Sequence, residues 1–306
     1  MEIIDFEGAK LYKWNIGAST FLASPLRGAR LMNWNLSMAD GSVRDVIYWP
    51  ENAPMGEGFP SVRGGNPILF PFAGRSHLKG EQGKWKTKDE RVLDMPQHGF
   101  ARQSDFELID TNDFGFTARL IPNAQAMVSY PYKYEFLVKY RFSQFSFAVD
   151  LQLSNKDLVD IPMCAGHHFY FRLPWHDNAT RSDYTIKIDA KKAATHLPNG
   201  EISPVAFEKE FDFGDASAIN RLHYNLKSNI VKFGSKNGEE DISITIGNSP
   251  RPEKYETIVT WSESPTAPYY CVEPWMGLPN SAEHGMGLSW VAPSESKVFS
   301  TEVSLL

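Results

Sequence analysis

The stretch "GHHFYFRLP", residues 166–174, sets His167 and His168 side by side in an apolar run. Histidine can give or take a proton near neutral pH without help from its surroundings. Side chains alternate faces along a strand, so only one of the two can enter a given pocket. Three more stretches carry groups of similar use. "MPQHGFAR" (95–102) places His98 before a glycine, "RGGNPILFPFAGR" (63–75) closes an apolar strand with Arg75, and "CVEPWMGLPNS" (271–281) sets Glu273 beside Val272, Pro274 and Trp275. A carboxylate in such surroundings is costly to bury unpaired. Glu273 is therefore either a strand-end surface group or a tuned acid or base. Each signal has a bland counterpart, since a lone histidine is more often structural and a strand-closing arginine more often a surface charge. An imidazole and a carboxylate brought into one pocket would make a general acid/base pair.

The elements that must position these groups read as strands. "YEFLVKYRF" (134–142) puts Phe136, Val138, Tyr140 and Phe142 on one side, and "FSFAVDLQLS" (145–154) does the same with Phe145, Phe147, Val149, Leu151 and Leu153. The short turn Ser143-Gln144 between them predicts an antiparallel hairpin. Period-two runs recur at 184–190, 241–247, 256–261 and 269–275, and "KVFSTEVSLL" closes the chain as a strand. Residues 214–226 are the candidate for a short helix, and the charged stretch 77–91 for an exposed hairpin or loop. Many short strands with frequent turn signals predict an all-β sandwich. With no repeat, low-complexity segment or long linker, one domain over 1–306 is the simplest expectation.

Composition narrows the function classes. The chain has 306 residues, 42% of them hydrophobic, and a formal net charge of −6. A nucleic-acid surface needs a basic face, so none is expected. No run of apolar residues is long enough for a membrane-spanning helix. The opening "MEIIDFEGAKLYKW" lacks the basic, apolar, small-residue order of a signal peptide, so a cytoplasmic location is expected. Cys164 and Cys271 lie in apolar stretches without CxxC spacing and read as buried, reduced thiols.

Taken together, the four stretches resemble a known family. "GGNPILFPFAGR", "HGFAR", "IPMCAGHHFYF" separated by five residues from Asn155, and "VEPWMGLPN" are similar in order and spacing to the motifs of the aldose 1-epimerase (galactose mutarotase-like) family. "YPYKYEFLVKYRF" also looks like the family. The resemblance spans residues 63–281 and implies one large antiparallel β-sandwich with a sugar in an open cleft across one sheet. In the family's G-x-H-P-Y-F pattern the catalytic histidine stands two places before the tyrosine. Here that is His168, with His167 turned to the other face and Phe169 in place of the usual proline. The resemblance further implies Glu273 as catalytic base, His168 as acid, and Arg75 and His98 as substrate-binding residues. The family's sugar-holding aspartate has no clear counterpart, and Asn220 in "FGDASAINRLHYNL" (213–226) is the candidate for its place.

The implied reaction interconverts α and β anomers of an aldose. A base takes the proton of the C1 hydroxyl, an acid protonates the ring oxygen, C1 rotates, and the ring closes on its other face. Two side chains suffice. No cofactor and no metal are expected, and the expected partner is a small-molecule sugar. Trp275 or Phe72 could stack on the sugar, and Glu273 would favour a charged His168. Three alternatives stand beside this reading. A hexose-6-phosphate 1-epimerase would use Arg63 and Arg102. A carbohydrate-binding protein would keep the cleft without turnover. A metalloenzyme would ligate an ion through His98, His168 and Glu273.

Overall fold

Alternation decides which side chains meet in the interior. In the hairpin Tyr134–Phe142 and Ser146–Asn155, the residues Phe136, Val138, Tyr140, Phe147, Val149, Leu151 and Leu153 are all buried on one face. The computed structural model describes residues 1–176, 178–238 and 241–306. Among them, two large antiparallel sheets of 13 and 9 strands pack face to face around this apolar layer. The fold is an all-β antiparallel sandwich, as the sequence predicts.

The smaller sheet runs in the order Asp105–Asn112, Gly115–Ile121, Tyr134–Phe142, Ser146–Asn155, Ser296–Leu305, Asp241–Ile246, Ile230–Ser235, Tyr184–Lys187, Glu210–Asp212. The C-terminal strand thus fills the middle of its sheet. In the larger sheet, five N-terminal strands from Glu2 to Ile47 lead to Phe169–Arg172. Then follow Tyr269–Trp275, Thr257–Trp261, Arg221–Leu226, Ala190–His196 and Ile202–Val205. Phe169–Arg172 and Tyr269–Trp275 lie side by side at its centre. Between the sheets, Trp14, Phe21, Trp34, Phe142 and Phe147 form a ladder of rings.

Four local expectations change. Residues 214–226 are not a helix: a short 3-10 turn at Ala216–Ala218 leads into the strand Arg221–Leu226. Phe142 pairs with Phe147, so the hairpin loop is four residues long and Phe145 sits exposed at its tip. The run 184–190 ends its strand at Lys187, and Ala190 begins the next strand in the other sheet. The stretch 77–91 supplies arms of two small hairpins, yet Trp85 within it is buried against Phe72 and Tyr130. Cys164 and Cys271 are buried and free, as expected.

Candidate active site

The central pair of strands sets the site. Gly166 pairs with Trp275 and Phe169 with Val272, so the same register places His168 directly opposite Glu273. His168 Nε2 lies 3.5 Å from Glu273 Oε1. On the other face of the same run, His167 is fully buried and stacks on Phe169 and Phe299 in the sandwich core. Alternation thus separates the two histidines as predicted.

His168 interrupts its strand, and Asn66 explains how. The His168 N–H donates to Asn66 Oδ1 at 3.1 Å, while Asn66 Nδ2 donates to Tyr140 Oη at 2.7 Å and lies 3.1 Å from His167 Nδ1. One buried amide therefore grips both histidines, its oxygen on one backbone and its nitrogen on the other ring. Tyr170 stacks on His168 at 4.7 Å and Trp261 meets it edge-on at 5.7 Å. Gly166 is required beside them, since a Cβ there would lie 2.6 Å from Trp275 Cδ1.

His98 arrives from a different part of the chain. Both His98 (φ 66°) and Gly99 (φ 71°) are left-handed, and a Cβ on Gly99 would lie 1.9 Å from the Phe70 carbonyl oxygen. That close approach needs glycine. The turn lets His98 bind Gly74 twice: its N–H donates to the Gly74 carbonyl at 2.7 Å, and its Nδ1 accepts the Gly74 N–H at 3.1 Å. An Nδ1 that accepts from a backbone N–H leaves the ring proton on Nε2, which lies 3.2 Å from the Gln97 side-chain amide. The same contacts anchor the backbone immediately before Arg75. His98 lies 5.5 Å from His168, ring centre to ring centre.

All four residues predicted from the sequence, Arg75, His98, His168 and Glu273, line one cavity of about 410 Å³. Asn220 lines it too, as do Arg63, Arg102 and Trp275, whereas Phe72 lies in the core. Sequence reasoning missed Gln97, Tyr170, His196, Leu222, Val259 and Trp261. Leu222, Val259 and Trp261 lie on neighbouring strands of the same sheet, and only knowledge of the strand order would have found them. Arg63 is held by Glu263, while Arg75 and Arg102 have no carboxylate within 4.0 Å among the described residues.

Burial governs the charge of these groups. Glu273 is 2% exposed, and desolvation holds its carboxyl well above the usual range. Desolvation, helped by Arg102 and Arg30, pushes His168 down to about 3. His98 is lowered well below its ordinary value by burial and by His168. The charged His168 expected from its carboxylate neighbour is thus overruled by desolvation. Burial thus favours the neutral form of both groups, a carboxyl facing an imidazole acceptor. The metal trio weighed from the sequence also changes: Cys271, rather than His98, joins His168 and Glu273 at ligand spacing.

Comparison with known proteins agrees with this architecture. The family model described as aldose 1-epimerase matches residues 10–244, ending before the strand that carries Glu273. The chromosomal LacX protein of Lactococcus lactis subsp. lactis is 24% identical over 235 residues, which cover 72% of this chain and 76% of LacX. The Slr1438 protein from Synechocystis sp. PCC 6803 superposes with a TM-score of 0.81 at 21% identity, covering 100% of this chain and 99% of that one. A galactose mutarotase related enzyme from Lactobacillus acidophilus gives a TM-score of 0.78 at 19% identity, covering 97% of each chain. On the extent of the matched segment, this chain belongs to the aldose 1-epimerase family.

Proposed function

We propose that this protein interconverts the α and β anomers of an aldose by acid/base ring opening and closure at C1, with Glu273 and His168 as the catalytic pair. The observation that carries this reading is their 3.5 Å approach on the wall of a cleft of small-molecule size. The two exchanging oxygens of a cyclic aldose are both bonded to C1. A donor and an acceptor this close can serve both at once. The assignment from family resemblance, Glu273 as base and His168 as acid, has the proton on His168. One transfer within the pair connects that state with the one burial favours. In either state the pair offers one donor and one acceptor. His98, neutral and with its proton on Nε2, serves as a fixed donor to a sugar oxygen, and Arg75 offers forked donors to hydroxyls. Asn220 offers the cleft an amide where a relative would offer a carboxylate.

The test is direct. Fresh α-glucose, α-galactose and glucose 6-phosphate are each followed by polarimetry or one-dimensional NMR with the protein. Faster anomer exchange than in buffer is expected for at least one of them, and survives EDTA, since proton transfer between these groups needs no Lewis acid. Exchange at the buffer rate for a broad aldose panel would instead favour a binding protein. A second reading, a hexose-6-phosphate 1-epimerase, is favoured by Arg75 and Arg102, which line the cleft without a carboxylate partner among the described residues. Under that reading Arg102→Ala raises KM for the phosphorylated sugar and leaves that for the neutral sugar unchanged.

A further inference from the structure

Beneath the catalytic pair, three potential metal ligands converge. Cys271 and Glu273 are two residues apart on one strand and so share a face, and Tyr170 and His168 stand opposite them in register. His168, Cys271 and Glu273 each present a ligand atom, and these atoms lie within 4.8 Å of one another. We propose that these three residues form a zinc-binding site whose occupation inhibits the enzyme. The inhibitory part rests on the proposed epimerase function; the metal site itself does not.

Three observations support it. First, the 3.5 Å between His168 Nε2 and Glu273 Oε1 matches the edge of a tetrahedron built on metal–ligand bonds of about 2.0–2.2 Å. Cys271 completes the face after a side-chain shift on the order of 1 Å, given its longer bond of about 2.3 Å. Second, Glu273 Oε2 is buried without a hydrogen-bond partner, so the carboxylate has an oxygen free for an ion. Such groups call for a proton, a ligand or an ion. Third, the charges balance. The ion takes Cys271 as thiolate and Glu273 as carboxylate, and any proton either group carries passes to solvent. Thiolate and carboxylate then cancel the two charges of the ion.

A donor set of one nitrogen, one sulfur and one oxygen suits zinc or cobalt and rejects magnesium, which demands six oxygens. Three protein ligands leave a fourth position open toward the cleft for water or a sugar hydroxyl. The ion takes the His168 lone pair and the Glu273 oxygen together, so neither can move a proton.

The test uses the whole protein, with zinc, cobalt and magnesium chlorides as probes. Zinc is expected to suppress anomer exchange and magnesium to leave it unchanged. Cys271 is no part of the proton-transfer pair, so Cys271→Ser keeps the parent rate without metal. It needs more than about tenfold higher zinc for the same inhibition. Cobalt binding to the parent gives tetrahedral visible bands and a thiolate-to-cobalt band in the near ultraviolet, and Cys271→Ser loses the latter. Unchanged zinc sensitivity in Cys271→Ser, or a parent cobalt complex without the thiolate band, overturns the proposal. If the serine variant does not fold, the parent cobalt spectrum and Cys271→Ala decide. A thiolate band in a protein that exchanges no anomers keeps the metal site and sinks the epimerase reading. Active protein with no band and no zinc effect does the reverse.

Discussion

At the scale of single residues, the decisive quantity is where one proton resides. Burial raises Glu273 and depresses His168, so desolvation favours a neutral carboxyl beside a neutral imidazole. A pair with one mobile proton gives a bell-shaped kcat/KM profile whose limbs belong to the pair. The acid limb marks the pair gaining a second proton, and the alkaline limb marks loss of the last one. With the proton on Glu273, Glu273→Gln removes the alkaline limb and His168→Asn removes the acid limb. The opposite pattern would place the proton on His168. Each substitution lowers kcat by roughly 10²–10⁴-fold. Glu273→Gln also raises the thermal midpoint at pH 7. In the unfolded chain that carboxyl ionises near its ordinary value, whereas burial in the folded state favours its protonated form. Its stabilisation is complete only at low pH and is lost as pH rises. An amide has no such loss, and a midpoint below the parent's would contradict the argument. Which residues meet was legible from four stretches of sequence. Their ionisation was not, because depth of burial is a property of the assembled sheets.

At the scale of elements, the site depends on one interruption in a strand. His168 takes its backbone partner from the Asn66 side chain rather than from a neighbouring strand. Asn66→Ala removes that acceptor and both amide donors at once. It leaves a buried His168 N–H unpaired, at a cost of about 1–3 kcal/mol. The expected outcome is a lower midpoint in urea together with a fall in kcat, read by denaturation and by anomer exchange. Full stability in this variant would mean that water replaces the amide and that Asn66 does not hold the strand. His167→Asn is expected to act through the core rather than as a lost proton donor, because its ring stacks away from the cleft and reaches the site only through its contact with Asn66. Strands with one buried face were easy to read, as Tyr134–Phe142 shows. Arg221–Leu226 was misread because it is buried nearly throughout, so the period-two signal is missing. Phe145 was misplaced because alternation alone does not tell where a turn begins.

At the scale of the whole molecule, burying this many histidines gives the protein an acid weakness. His167, His168 and His223 are each pushed down to about 3, and His196 to about 4, in every case chiefly by desolvation. In the unfolded chain they take protons near their ordinary value of 6.5. Between these limits the unfolded state binds more protons, so stability falls as pH drops below 6.5. Glu256, raised to about 7, and Glu273 act in the opposite sense above about pH 4.5. His98 and His284 are lowered as well and Asp45 is raised, so the depressed imidazoles outnumber the raised carboxyls and the net slope keeps the histidine sign. His223 offers a clean test, since it stacks on Phe211 and contacts Thr260 on the core side, outside the cleft lining. Replacing it with leucine removes one titrating group. The slope of unfolding free energy against pH between 4.5 and 6.5 then drops by about 1.4 kcal/mol per pH unit, the value of one proton. Urea denaturation of parent and His223→Leu across that range measures it, whatever the variant's stability at pH 7. Parallel slopes would mean that His223 titrates alike in both states, and that burial does not set the acid limit of this fold.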